Sequence, residues 1–311
     1  MSEFGFIETL RQSFEGIGDS GIVGIGDDCA VMPLSKSSSL VVSTDMLTEG
    51  VHFLLEATSA RELGAKSLAV NLSDIAAMGA VPVASFLSIA LPKACREVWL
   101  AEFMEGYRDT SARYNVRLAG GDTTASAGGV TINVGVIGKA PSSHLKYRNG
   151  ARVGDVVVVN GRLGESAAGL ADILNGETGT PAAETHRNPV PQVFEGAWLG
   201  SRAEVHSMID LSDGVASDLR HILRSSGVGA SVDLATIPTD YSLELALGGG
   251  EDYKLLFTVA PADFDRLRKA YLRRFGSSLY PIGVITEGDP EIIWTREGQP
   301  VDMNISGFTH F

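Results

Sequence analysis

The 311 residues suffice for two domains of ordinary size, each with its own core. Hydrophobic residues at 44% exclude wholesale disorder, and 38 acidic against 25 basic residues, a net charge of −13, argue against a nucleic-acid partner, whose binding rests on cationic neutralisation of phosphates. No apolar run approaches the roughly 20 residues of a membrane span, and the opening MSEFGFIETLRQSFEG lacks the basic-then-apolar order of a signal peptide, so a cytoplasmic protein without a membrane partner is expected.

Strand and helix signals alternate along the chain, which predicts an α/β (α+β) architecture. Residues 39–45 read as a buried strand ending in polar residues, and 60–78 as a helix, with Ser59 and Glu62 spaced as a capping box. Residues 83–91 read as a strand, 96–114 as an amphipathic helix with Leu100, Phe103, Met104 and Tyr107 to one side, and 130–138 as a strand. The polar, turn-forming stretch 139–155 then breaks the pattern, and a domain boundary is expected near residue 148, giving 1–148 and 149–311. Beyond it come a strand (VVVVN), a helix (GESAAGLADIL), a loop over 176–195 with Pro181, Pro189 and Pro191, a strand (MIDL), a helix (VASDLRHILRSS), and strands near 230–234, 253–259, 281–285 and 291–294.

Six segments set acids beside glycine or hydroxyl residues at expected strand ends: GIGDDCAV, STDMLTEGVHF, NLSDIAAMGA, GGDTT, DLSDG and GGGEDY. Acid beside glycine is common in turns, but NLSD lies within an otherwise apolar helix. There Ser67, Asn71 and Asp74 share one face at i, i+4 and i+7, and a buried polar stripe needs a partner or a metal. Ser43, Thr44 and Asp45 end a strand with hard oxygen donors that suit magnesium rather than zinc. Other schemes lack their residues. There is no phosphate-binding G-x-x-x-x-G-K-[ST], no G-x-S-x-G and no H-E-x-x-H. Cys29 and Cys95 form no metal-binding pair and read as packing thiols. Of six histidines, His52 alone lies in an acidic segment.

In this order, and across essentially the whole chain, STD-x-L-x-EG-x-HF, K-x-LAVNLSD-x-AAMGA and GGEDY-x-L-x-FT resemble the thiamine-monophosphate kinase family. That family belongs to a larger group with aminoimidazole ribonucleotide synthetase, selenophosphate synthetase and a hydrogenase-maturation protein. The resemblance implies an N-terminal α/β domain that binds ATP and magnesium and dimerises with its twin, and a C-terminal α/β domain that completes the site. It implies ATP-dependent conversion of thiamine monophosphate to thiamine diphosphate by direct transfer, assisted by several magnesium ions, in a homodimer. By position, Asp28, Ser43, Thr44, Asp45, Asp74, Asp122, Asp210 and Asp213 are then expected as magnesium ligands. Tyr107, Gly121, Asp122, Arg148 and Ser212 are expected to contact nucleotide, and His52, Glu251 and Phe308 substrate. No general base is expected, since the acceptor phosphate is mostly a dianion at pH 7. Thr48, Gly248 and Lys254 depart from the family pattern, and Lys254 brings a positive charge close in sequence to Glu251.

Overall fold

The computed structural model of the chain describes residues 3–17, 21–93, 95, 97–303, 305, 307 and 308. In its first half, α1 (Glu3–Phe14) precedes β1 (Ala30–Ser35), β2 (Ser38–Thr48), α2 (Ala60–Ala77), β3 (Val81–Leu91), α3 (Val98–Tyr114), β4 (Arg117–Ala125) and β5 (Thr131–Pro141). Its strands form one five-stranded sheet in the order β1-β2-β5-β3-β4, in which the β3–β4 pair is parallel and the others antiparallel.

The second half runs β6 (Val156–Val159), α4 (Glu165–Leu174), α5 (Pro181–Arg187), α6 (Val193–Gly200), β7 (Val205–Asp210), α7 (Val215–Ser226), β8 (Gly229–Asp233) and α8 (Leu243–Gly248). It continues through β9 (Leu255–Val259), α9 (Pro261–Phe275), β10 (Tyr280–Thr286), β11 (Ile292–Arg296) and β12 (Gln299–Pro300). Its sheet has seven strands in the order β12-β11-β8-β10-β6-β9-β7. Two mixed α/β units therefore share one chain, as the alternating pattern predicts.

Helix α2 is the element on which the two units meet. The expected capping box forms: Glu62 N donates to Ser59 Oγ at 3.2 Å and Ser59 N to Glu62 Oε2 at 2.9 Å. Leu63, Leu68, Leu72 and Ile75 are fully buried, and the helix packs against β2 and β5, against α3 and against α6. Glycines allow these close crossings. A Cβ on Gly106 of α3 would lie 1.8 Å from Arg61 O, and one on Gly196 of α6 would lie 2.2 Å from Ala76 O.

Residues 176–195 are not the expected loop, because α5 and the start of α6 lie there. Pro181 takes the first turn of α5, where a missing N–H costs nothing, and Thr180 Oγ1 caps Ala183 N at 3.0 Å. These helices of seven and eight residues are too short to give a readable period.

Candidate active site at the seam of the two units

Asp27 and Asp28 lie in the segment that leads into β1. Ser43 and Asp45, two apart on β2, turn the same way, toward α2. Asn71 on α2 receives Asp45 N on Oδ1 at 3.0 Å, and the Ser43 hydroxyl donates to Asp74. Asp210 ends β7 and enters from the second unit. One carboxylate oxygen from each of Asp28, Asp74 and Asp210 lies within 4.8 Å of the others. The polar stripe on α2 thus meets β2 and a carboxylate cluster.

Carboxylates this close repel, by roughly 4 kcal/mol for a pair 4 Å apart at an effective dielectric near 20. Burial, followed by the charges of Asp45 and Asp210, holds Asp74 well above the usual carboxylate range. Burial and then Asp28 push Asp210 up to about 8, Asp27 to about 7 and Asp45 to about 6. Arg148 Nη2 donates to Asp28 Oδ1 at 2.6 Å, and the Arg148 backbone N–H donates to Asp27 Oδ2 at 3.1 Å. One guanidinium does not neutralise five acids. Asp28 Oδ2 and Asp210 Oδ2 are buried with no hydrogen-bond partner among the described residues. Unsatisfied anionic oxygens in an all-oxygen cluster fit a hard divalent cation.

A second polar cluster lies further back along α2. Lys66, 1% exposed, donates from Nζ to Glu251 Oε2 at 2.8 Å and to His186 O at 3.2 Å. His186 Nδ1 lies 3.3 Å from the same Glu251 oxygen. Burial alone would raise Glu251, but Lys66, then His186 and His52, hold it below the usual range. His52 therefore acts electrostatically on Glu251, while its Nδ1 accepts from Thr48 N at 3.0 Å. Lys254 acts on Asp252, where its charge opposes the burial that raises that carboxyl to about 6.

Other expected residues are placed differently. Strand alternation turns Thr44 away from Asp74, and its Oγ1 accepts from Asn133 Nδ2 at 3.0 Å. Gly121 and Asp122 sit on β4, three strand spacings or about 14 Å across the sheet from β2, so Asp122 and Asp45 do not share an ion within this chain. Tyr107 is 1% exposed in the core, with its hydroxyl donating to Ser85 Oγ at 2.8 Å, and it offers no surface to a nucleotide. Ser212 and Asp213 lie in the loop into α7. Ser212 O accepts from Glu251 N at 2.8 Å and Asp213 O from Phe308 N at 3.2 Å, which ties two of the three substrate candidates to the loop after Asp210. Phe308 is 48% exposed.

Sequence reading does not single out Asp27, Lys66, His186 or Asp218. Asp218 Oδ2 accepts from Asp213 N at 3.1 Å and Gly214 N at 3.0 Å, which shapes the loop beside the acids. For Lys66 a signal exists: a lysine two turns before Asp74 in an apolar helix. Both cysteines are buried, and burial followed by Asp74 pushes the Cys29 thiol well up, which leaves it inert.

Residues 26–140 match the model for the AIR synthase related protein N-terminal domain, and residues 152–295 that for the C-terminal domain. The chain is 39% identical over 305 residues to the thiamine-monophosphate kinase of Escherichia coli strain K12, covering 93% of this chain and 92% of that protein. Among solved structures, a thiamine-monophosphate kinase from Stenotrophomonas maltophilia K279a superimposes with a TM-score of 0.77 at 35% identity, covering 97% and 98% of the two chains. AaThiL complexed with AMPPCP and TMP superimposes with a TM-score of 0.84 at 28% identity, covering 100% and 97%.

Proposed function

Because the chain belongs to the thiamine-monophosphate kinase family, within the AIR synthase-related proteins, we propose that it transfers the γ-phosphoryl group of ATP to thiamine monophosphate. A phosphate oxygen of the acceptor forms the new P–O bond, the bond between the γ-phosphorus and the β–γ bridging oxygen breaks, and ADP leaves beside thiamine diphosphate. The observation that carries this reading is the convergence of Asp28, Asp74 and Asp210, from both units, within 4.8 Å. AaThiL complexed with AMPPCP and TMP supports the same pair of ligands here.

Asp28, Asp45, Asp74 and Asp210 would hold magnesium, with Ser43 orienting Asp74 and Asn71 fixing the backbone at Asp45. Bound magnesium screens the polyanions from one another and stabilises charge that develops on the transferred group. Arg148 presents a fork of donors at the edge of the acids, suited to phosphate oxygens. No side chain need remove a proton, because the acceptor is already a dianion at pH 7. Direct in-line transfer without a phosphoenzyme is the simplest scheme, since the acceptor oxygen is itself the nucleophile. Asp213 and Asp122 would serve further ions, Ser212 and Gly121 the nucleotide, and His52, Glu251 and Phe308 the thiamine moiety. Residues 1–148 would carry magnesium and the triphosphate, and residues 149–311 would close the site in the cytoplasmic enzyme.

A homodimer is part of the proposal. The face of the first sheet away from α2 exposes Met46, Val83 and Phe86, and all nine residues of edge strand β4 are exposed. Phe86→Asp should convert a dimer, measured by light scattering, into a monomer.

The primary test is incubation with thiamine monophosphate, ATP and magnesium, with thiamine esters resolved by chromatography. Diphosphate should form only with the monophosphate and metal present, and not with free thiamine or in Asp45→Asn. ADP formed without diphosphate would point to another acceptor.

A further inference from the structure

We infer that Lys66 is a positioning residue for substrate: by holding Glu251 Oε2 from within α2, it presents Glu251 Oε1 as the acceptor for the amino group of the pyrimidine ring. This rests on the reading of Glu251 as a substrate contact.

Lys66 is 1% exposed and Glu251 retains 21% of its side-chain surface, so the lysine is the deeper partner and the carboxylate the one within reach of a ligand. Both the Lys66 bond at 2.8 Å and the His186 approach at 3.3 Å fall on Oε2, and neither uses Oε1. Lys66 also donates to His186 O at 3.2 Å, which fixes the ammonium between α5 and the segment before β9. The Glu251 backbone is itself held at φ 64°, in the left-handed region, with its N–H on Ser212 O at 2.8 Å. A non-glycine residue keeps such a conformation only when its surroundings impose it.

For recognition this matters in two ways. The buried ion pair is neutral as a unit, so Glu251 offers hydrogen-bond geometry rather than a free negative charge for the thiazolium ring. Lys66 also lies eight residues before Asp74 on one helix, which separates the two Cα positions by about 12 Å. Helix α2 thus sets the spacing between the pyrimidine anchor and the acids proposed to hold magnesium.

The test compares Lys66→Met, Glu251→Gln and the double variant, which leaves no buried charge unpaired. Each is assayed with thiamine monophosphate and with an analogue whose pyrimidine amino group is replaced by oxygen. Lys66→Met should raise KM for thiamine monophosphate by about tenfold or more, the scale of one hydrogen bond to a charged group, with kcat and KM for ATP little changed. It should also lose the wild-type preference for the amino compound. Glu251→Gln should do the same, and the double variant should be no worse than either single one. If Glu251→Gln raises KM while Lys66→Met alters only thermal stability, Lys66 is structural and the inference falls, with Glu251 still a substrate contact. If the double variant restores KM and discrimination, the Glu251→Gln defect came from the unpaired lysine and both readings fall. If Glu251→Gln leaves KM and discrimination intact, both the inference and the Glu251 reading fall.

Discussion

Arg148 and Asp28 form the ion pair at which the two halves of the chain meet. Nη2 donates to Oδ1 at 2.6 Å, while Arg148 O accepts from Ser226 Oγ at 2.9 Å, so the second unit anchors the backbone and the first receives the charge. Burial alone would lower the guanidinium pKa, but Asp28, then Asp27 and Asp210, raise it. The group is a fixed cation, placed before any nucleotide arrives.

Arg148→Met should lower turnover by about a hundredfold, the scale of removing one preorganised donor from developing charge. It should also lower the melting temperature of the magnesium-free protein, because Asp28 loses its partner while still buried. Added magnesium should recover most of the melting temperature and none of the turnover. Recovery of turnover as well would mean that Arg148 only neutralises its neighbours.

Asp74→Asn should move stability and activity in opposite directions. In metal-free protein the amide needs no proton to be buried facing Asp45, Asp210 and Asp28, whereas Asp74 must take one up on folding, so the melting temperature should rise at neutral pH. With magnesium and both substrates, turnover should fall by about a hundredfold or more. Turnover within about threefold of wild type would remove Asp74 from the metal ligands.

The raised carboxylates predict how magnesium and pH interact. Asp45, Asp27 and Asp210 rise to about 6, 7 and 8 in the folded chain, against a usual value near 4 when unfolded. Between those limits the folded state binds more protons, so metal-free stability is present at low pH and is lost as pH rises toward 8. Magnesium replaces the protons. The thermal shift at saturating magnesium should therefore be larger at pH 8 than at pH 5, as differential scanning fluorimetry would report. An equal shift at both values would show that the ion binds elsewhere.

The carboxylate cluster is legible from NLSD and STD because a charged stripe on a helix this apolar must face either a partner charge or an ion. Helix α7 is legible for a similar reason, since its apolar positions recur at helical spacing. What single segments cannot supply is convergence. That Asp210 arrives from β7 to meet Asp28 depends on the packing of α6 on α2, where Gly196 meets Ala76 across a long stretch of intervening chain. Tyr107 shows the converse. Its place on the apolar side of an amphipathic helix already points to the core, and the core is where it lies. Lys66 is hard to read from sequence because its partners, Glu251 and the His186 carbonyl, come from the distant second unit.

His186 gives the acid limb of the stability curve. Burial, then the charge of Lys66, lowers its pKa to about 4, from a usual value of 6.5. The unfolded chain takes up a proton near pH 6.5 and the folded chain only near 4, so this contribution is intact above 6.5 and is lost as pH falls through that interval. The loss amounts to about 3 kcal/mol by pH 4, with about 2 kcal/mol gone by pH 5. His221, also lowered to about 4 by burial and then by Arg148, acts in the same direction. His186→Gln should therefore gain on wild type by about 2 kcal/mol between pH 7.5 and 5, measured by urea unfolding at saturating magnesium. A difference that stays constant across that range would mean that the folded protein protonates His186 near the ordinary pH. Lys66 could not then be the charge that faces it.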